Sequence, residues 1–107
     1  MTGPSSISGF VASGNFCNTN NKYTLYFVAE FDHLFTLQET SKRSYLLSCA
    51  QGDSDQVHMR VGISFVSVAN AAQNLRTENS GYDFDSVRTA AQTTWDQYLW
   101  QNCCPNW

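Results

Sequence analysis

The sequence predicts a mainly β chain with C-terminal helices, in the form of a partial antiparallel β-sandwich followed by two helices. Three observations carry this reading. Apolar residues alternate with others at the period of a strand over residues 23–31 and again over residues 57–65. Immediately afterwards the period lengthens to about 3.6, with Val68, Ala71, Ala72 and Leu75 recurring at helical spacing. A second helical stripe follows, made of Phe84, Val87, Ala91, Trp95, Tyr98 and Leu99.

Taken in order, residues 7–12 suit a short strand and the Asn-rich segment 14–22 suits a polar loop. In 23–31, Tyr23, Leu25, Phe27, Ala29 and Phe31 share one face while Thr24, Tyr26, Val28 and Glu30 share the other, which predicts an interior strand with both faces partly covered. Residues 35–38 and 44–49 supply two more strands across a polar loop at 39–43, and 51–55 gives a turn. The long strand 57–65 reads as half-buried: Val57, Met59, Val61, Ile63 and Phe65 face the core, and His58, Arg60, Gly62 and Ser64 face away. Five successive strands imply an antiparallel sheet or sandwich. Ser67 is placed to cap the first helix, and Asp83 the second, with Asp85 in its first turn meeting the positive end of the helix dipole. The stripe of the second helix, with Trp95 at its centre, is expected to bury against the sheet. The organisation expected is a partial sandwich over 1–67, two helices over 68–99, and an irregular tail over 100–107 that reads as a truncated or misread end or a genuine short tail. Five strands are few for a two-layer sandwich, so unpaired edges and uncovered faces should make the isolated chain marginal and prone to associate.

With 107 residues, 42% of them hydrophobic, the chain has material for one small core. A net charge of −3, with 6 Lys plus Arg scattered singly apart from Lys42-Arg43, provides no footprint for nucleic acid. No run approaches the roughly eighteen apolar residues of a membrane span. Residues 1–8 lack the basic start and apolar centre of a signal peptide, and localisation stays undetermined. The spacing of Cys17, Cys49, Cys103 and Cys104 fits neither a compact disulfide framework nor a paired zinc site, and a bridge between neighbours Cys103 and Cys104 is strained. Cys17 and Cys49 are compatible with a bridge or with two buried free thiols.

General acid–base catalysis by carboxyl groups needs a pair in contrasting settings, one of them held protonated. None of the nine acidic residues is singled out for that work: Asp83 and Asp85 suit a helix start, Asp53 and Asp55 a turn, and Glu78 and Asp96 polar helix faces. Asp53-Ser54-Asp55 has the alternating oxygens that begin calcium loops but lacks the remainder of such a loop and its bidentate Glu. His33 and His58 lie too far apart in sequence to suggest a metal pair, and His58 is expected at the surface. Glu30-Phe31-Asp32-His33 brings carboxylates and an imidazole together, as a polar site or as a solvated strand end. Sugars bind by stacking on exposed rings, which makes Tyr26, Tyr45 and Tyr82 the candidate substrate-binding residues, against core or interface packing for each.

The phrase VGISFVSV at 61–68, followed by Ala71, Asn74-Leu75, Glu78, the DFDSVR opening at 83–88 and Trp95, resembles glycoside hydrolase family 92, the calcium-dependent exo-α-mannosidases. KYTLYFVAEFDHLF at 22–35 matches more weakly, with Leu34 where the family often has proline, and the likeness spans about residues 9–99. The resemblance implies an N-terminal sandwich of the galactose-mutarotase-like, or supersandwich, type. Linker helices join it to a C-terminal (α/α)6 barrel that carries the catalytic carboxylates and most of the calcium ligands. On this reading the chain is a noncatalytic fragment, the later part of the sandwich plus the linking helices. It packs against the missing barrel and helps shape its mannose pocket, and no family catalytic or metal residue maps onto it. Calcium belongs to the full-length enzyme, and the family is often secreted. Two other readings are a free-standing module that binds mannose-containing glycans, and a structural fragment that recruits another chain.

Overall fold

The computed structural model describes residues 5–49 and 55–102. Strand β1 (Ser6–Gly14) pairs antiparallel with β2 (Lys22–Phe31), in register from Ser6 opposite Glu30 to Gly14 opposite Lys22. The Asn-rich connection turns on left-handed backbone at Asn15, Asn18 and Asn20, a conformation that short polar Asn side chains tolerate, and on the same conformation at Cys17. β5 (Met59–Ser64) pairs with the other edge of β2, from Tyr26 opposite Ser64 to Phe31 opposite Met59, so β2 is the central strand its two-sided composition predicts.

Between them, β3 (Phe35–Ser41) and β4 (Ser44–Cys49) form a separate two-stranded sheet, tied to β2 by the edge-on contact of the Phe35 and Phe31 rings at 5.2 Å. The architecture is therefore five antiparallel strands in two small sheets followed by two helices, with no closed sheet among the described residues. The expected turn at 51–55 lies, apart from Asp55, outside the described residues. Cys17 is exposed, Cys49 is half-buried, and both are free thiols, which corrects the reading of two buried thiols and rules against their bridge here.

Helix α1 (Val68–Glu78) starts as expected, with the Ser67 hydroxyl accepting from the Asn70 N–H at 3.1 Å. Its Ala71 and Leu75 pack on Val28 of β2 to make the core, with Val68 and Ala72 at the rim. Asn74 Nδ2 donates to the Ile63 carbonyl at 3.0 Å, and Ser64 Oγ donates to Asn70 Oδ1 at 3.0 Å, so the helix is also stitched to β5 by polar contacts.

The inward and outward faces of β5 are the reverse of the sequence expectation. Gly62 and Ser64 are buried under α1, whereas Met59, Val61 and Ile63 are exposed, as is Phe65 just beyond the strand. The cause is steric. Only three residues, Phe65 to Ser67, separate β5 from α1, so the helix backbone must come very close to the strand. A Cβ at Gly62 would lie only 2.6 Å from the Leu75 Cβ, so the face carrying the glycine is the one that admits the helix.

Helix α2 (Phe84–Asn102) departs in two ways from expectation. It continues past Leu99 to Asn102, so residues 100–102 are helical rather than irregular. Its stripe is not buried on the sheet either: Phe84, Val87, Trp95, Tyr98 and Leu99 are all exposed, Trp95 by 66%. α1 already occupies the covered face of the sheet, and no other element packs on α2 among the described residues. The molecule is consequently open. Its radius of gyration is 18.4 Å, against roughly 13 Å for a compact chain of this length, and it exposes 8999 Å², against about 6000 Å². Among the described residues no helix is long and apolar enough to cross a membrane.

Candidate functional site

Two polar clusters meet at the end of the sheet where β2 leaves and β5 enters. The first is built on Arg60, whose position in β5 puts it on the α1 side, opposite Glu30 of β2. One guanidinium nitrogen donates to Glu30 Oε2 at 2.5 Å and another to the Asn79 carbonyl at 3.0 Å, just past the end of α1. The Tyr82 ring lies against the guanidinium, 4.7 Å from ring centroid to Cζ, a cation–π arrangement. Arg60 and Glu30 are largely buried, and Arg60 Nε has no protein partner. Burial works against the cation, but the hydrogen bond and charge of Glu30, with a smaller contribution from Tyr82, raise its pKa above the ordinary arginine value. Arg60 thereby fastens three segments together: the central strand, the end of α1 and the connection into α2.

The second cluster is centred on Asp32. Its Oδ1 accepts from His33 Nδ1 at 2.6 Å and from the His58 backbone N–H at 3.0 Å, and its Oδ2 accepts from His58 Nδ1 at 2.7 Å. The Asp32 N–H donates in turn to the His58 carbonyl at 3.1 Å. An ionised carboxylate has no proton to give, so both imidazoles carry hydrogen on Nδ1. His58 is thus a partly exposed histidine satisfied by Asp32, and through that bond it closes the β2–β5 pair. The hydrogen bond from His33 contributes most to holding the Asp32 carboxyl well below the usual aspartate range, against a smaller opposing effect of burial, and the two bonds from His58 add to it.

The sign of the consequence follows from that direction. A carboxyl whose folded pKa lies below its unfolded value stabilises the fold above the unfolded pKa, and that stabilisation is lost as pH falls through the folded one. Asp32→Asn is expected to flatten the acid limb of the stability profile, so that its urea midpoint falls less than that of the wild type between about pH 5 and pH 3. Parallel acid limbs in the two proteins would show that Asp32 does not carry this dependence.

His58 and Arg60 line one side of a cavity of about 180 Å³, with Tyr82 and Asp83 on the other and Met59 and Val87 closing it. Ligand pockets run to roughly 300–1,000 Å³, so this one holds water or a small ion rather than a disaccharide. The carboxylates around it are all engaged. Glu30 is held by Arg60, Asp32 by two imidazoles, and Asp83 Oδ1 accepts from the Ser86 N–H at 3.0 Å as the cap of α2. An acid catalyst needs a raised pKa, and Asp32 is shifted the opposite way. Nor does the cluster fit calcium, which takes six to eight oxygen ligands where Asp32 is flanked by two ring nitrogens. Among the described residues no group of three or more His, Cys, Asp or Glu is arranged to hold a metal ion. Asp53 and Ser54 lie outside the described residues.

The three tyrosines selected from the sequence are in three different places. Tyr26 sits on β2 beside Phe10, ring centroids 6.1 Å apart. Tyr45 is exposed on β4 in the separate hairpin. Tyr82 offers one face to Arg60. Only Tyr82 belongs to the cavity described above, so the three do not make a single sugar platform. Sequence reasoning did not identify Arg60 or the His58–Asp32 contact; the available signal was the two-residue spacing of Glu30 and Asp32 across the end of β2 and of His58 and Arg60 across the start of β5, once those strands are paired antiparallel. No family model, no curated protein and no solved structure matches the chain.

Proposed function

We propose that this chain is a noncatalytic sandwich fragment of a family 92-type α-mannosidase, serving as the platform against which a separate (α/α)6 barrel packs. The observation that carries the reading is the course of α2. It is anchored at its start by the Asp83 cap and by the Arg60–Tyr82 contact, then leads away from the sheet with an apolar stripe that stays exposed at Trp95 and Leu99. A helix of this kind suits a linker that docks on a larger partner. The β1–β2–β5 sheet, apolar on the face away from α1, then corresponds to one layer of a supersandwich. The engagement of Glu30, Asp32 and Asp83 in structural bonds fits a noncatalytic role, and calcium and the acid–base pair belong on this proposal to the barrel, which also supplies the mannose pocket.

The test is co-expression with a family 92 barrel lacking its own sandwich. Hydrolysis of an aryl α-mannoside in the presence of calcium is expected from the co-purified complex and not from the chain alone. Turnover by the chain alone above a heat-inactivated control, or failure to co-purify with the barrel, would overturn the proposal.

A further inference from the structure

We infer that the tip of the β3–β4 hairpin is a processing site, where an endoprotease that selects two adjacent cations cuts between Arg43 and Ser44 and leaves a two-chain molecule that stays assembled. This inference does not rest on the mannosidase reading.

Composition singles out the position. Of the 6 Lys and Arg residues, only Lys42 and Arg43 are neighbours. A protease with carboxylates in both its S1 and S2 pockets makes a charge pair with each of them, whereas every other cation in the chain offers it one pair alone. Those other cations lie inside regular elements: Lys22 in β2, Arg60 in β5, Arg76 in α1 and Arg88 in α2. Lys42 and Arg43 stand between the paired Ser41 and Ser44, so they form the turn itself.

The tip is accessible and easily opened. Residues 38–46 are all exposed. A tight turn must open locally before a protease can thread it through an active-site cleft. A lone two-stranded hairpin is marginal in water. Among the described residues no other element packs on this one, which meets β2 through the Phe35 and Phe31 rings. Its register slips between Glu39 and Ser41, and Arg43 holds left-handed backbone at φ 70, a conformation that costs a residue carrying a Cβ. Exposed tips that open at low cost are where nicking concentrates.

The cut is a hydrolysis. The bond from the Arg43 carbonyl carbon to the Ser44 nitrogen breaks, and water supplies the hydroxyl to that carbon and a proton to that nitrogen. The fragments are residues 1–43 and 44–107, and the contacts that build the core cross between them. β2 falls in the first, β5 and α1 in the second, joined by strand pairing from Tyr26–Ser64 to Phe31–Met59. Val28 packs on Ala71 and Leu75, Glu30 pairs with Arg60, and Asp32 bonds His58. The two polar clusters therefore clasp one fragment to the other, while the severed hairpin lies apart from the core.

The test is limited digestion of the folded chain with a subtilisin-type endoprotease selective for Lys-Arg, and separately with trace trypsin, followed by intact mass. One early cut within the Lys42-Arg43 turn is expected, with both fragments co-eluting on size exclusion and the far-UV circular dichroism retained. Arg43→Gly removes the S1 cation yet suits the left-handed turn, and should slow the paired-basic enzyme by at least about tenfold with the dichroism unchanged. Lys42→Gln is the second variant, should Arg43→Gly fold poorly, and should slow that enzyme likewise. Resistance of the folded chain would overturn the inference. So would a first tryptic cut after Lys22, Arg60, Arg76 or Arg88, cutting that neither substitution slows, or separation of the fragments once cut. Co-purification with the barrel reads the mannosidase proposal separately, so either can fail alone.

Discussion

Replacing Gly62 with valine is expected to detach α1 from the sheet and remove most of the cooperative unfolding transition. The new Cβ would stand 2.6 Å from the Leu75 Cβ and 3.2 Å from its Cα, and would also run into the Ala71 carbonyl oxygen. Two of these obstacles are backbone atoms, which cannot rotate aside as the end of a long side chain can. Overpacking of this kind costs about 1–3 kcal/mol and sometimes more. Among the described residues the core it disrupts has Val28, Ala71 and Leu75 as its buried members, and a chain of this length has on the order of 5 kcal/mol in total at the low end of the usual range. The loss should therefore take half or more of the stability, read as a collapse of the urea midpoint by far-UV dichroism. Gly62→Ala should already be harmful, because the obstructed atom is the Cβ itself. Gln38→Thr, exposed on β3 of the separate hairpin, is the control and should stay within about 0.5 kcal/mol of the wild type. An unchanged midpoint for Gly62→Val would mean that α1 does not sit on β5 as described.

The same glycine explains what the sequence did and did not reveal. Element positions were legible because each is dictated locally: alternation marks β2 and β5, and Ser67 and Asp83 form the caps that their positions before helical periods suggest. The orientation of β5 was not legible. An alternating pattern tells which residues share a face but not which face meets the helix, and the usual inference from hydrophobicity points the apolar set inward. Here the three-residue connection to α1 forces close backbone approach, so the helix covers the face with Gly62, and Val61 and Ile63 turn outward. The fate of α2 was illegible for a related reason. Amphipathicity shows that a stripe requires a partner, not that the partner is in the same chain. The polar site was hidden because Glu30 and Arg60, and likewise Asp32 and His58, come together only through strand pairing across more than two dozen residues of sequence.

Arg60→Ala is the other substitution with a large expected effect, and it tests whether that hidden pair is structural. Side-chain exposure is 13% for Arg60 and 22% for Glu30, so removing the cation leaves a carboxylate that is mostly shielded from water and unpaired. Breaking a buried pair from one side costs about 3–5 kcal/mol, and the residual exposure of Glu30 puts the expectation at the lower end, near 3 kcal/mol. The Asn79 carbonyl and the Tyr82 ring lose their partner in the same step, so the connection over residues 79–83 should become the first site of limited proteolysis. Arg60→Lys should recover little, because a single ammonium cannot reach Glu30 and Asn79 together with a planar face left for Tyr82. The decisive variant is the double Glu30→Gln, Arg60→Met. Neutralising both partners removes the stranded charge while the methionine stem still fills the space under Tyr82, so the double variant should be more stable than Arg60→Ala and recover more than half of the loss. If it is no more stable than that single variant, the stabilisation comes from packing of the arginine stem rather than from the ion pair. The strong coupling expected between positions 30 and 60 would instead identify the pair as the element that fixes where α1 ends and α2 begins.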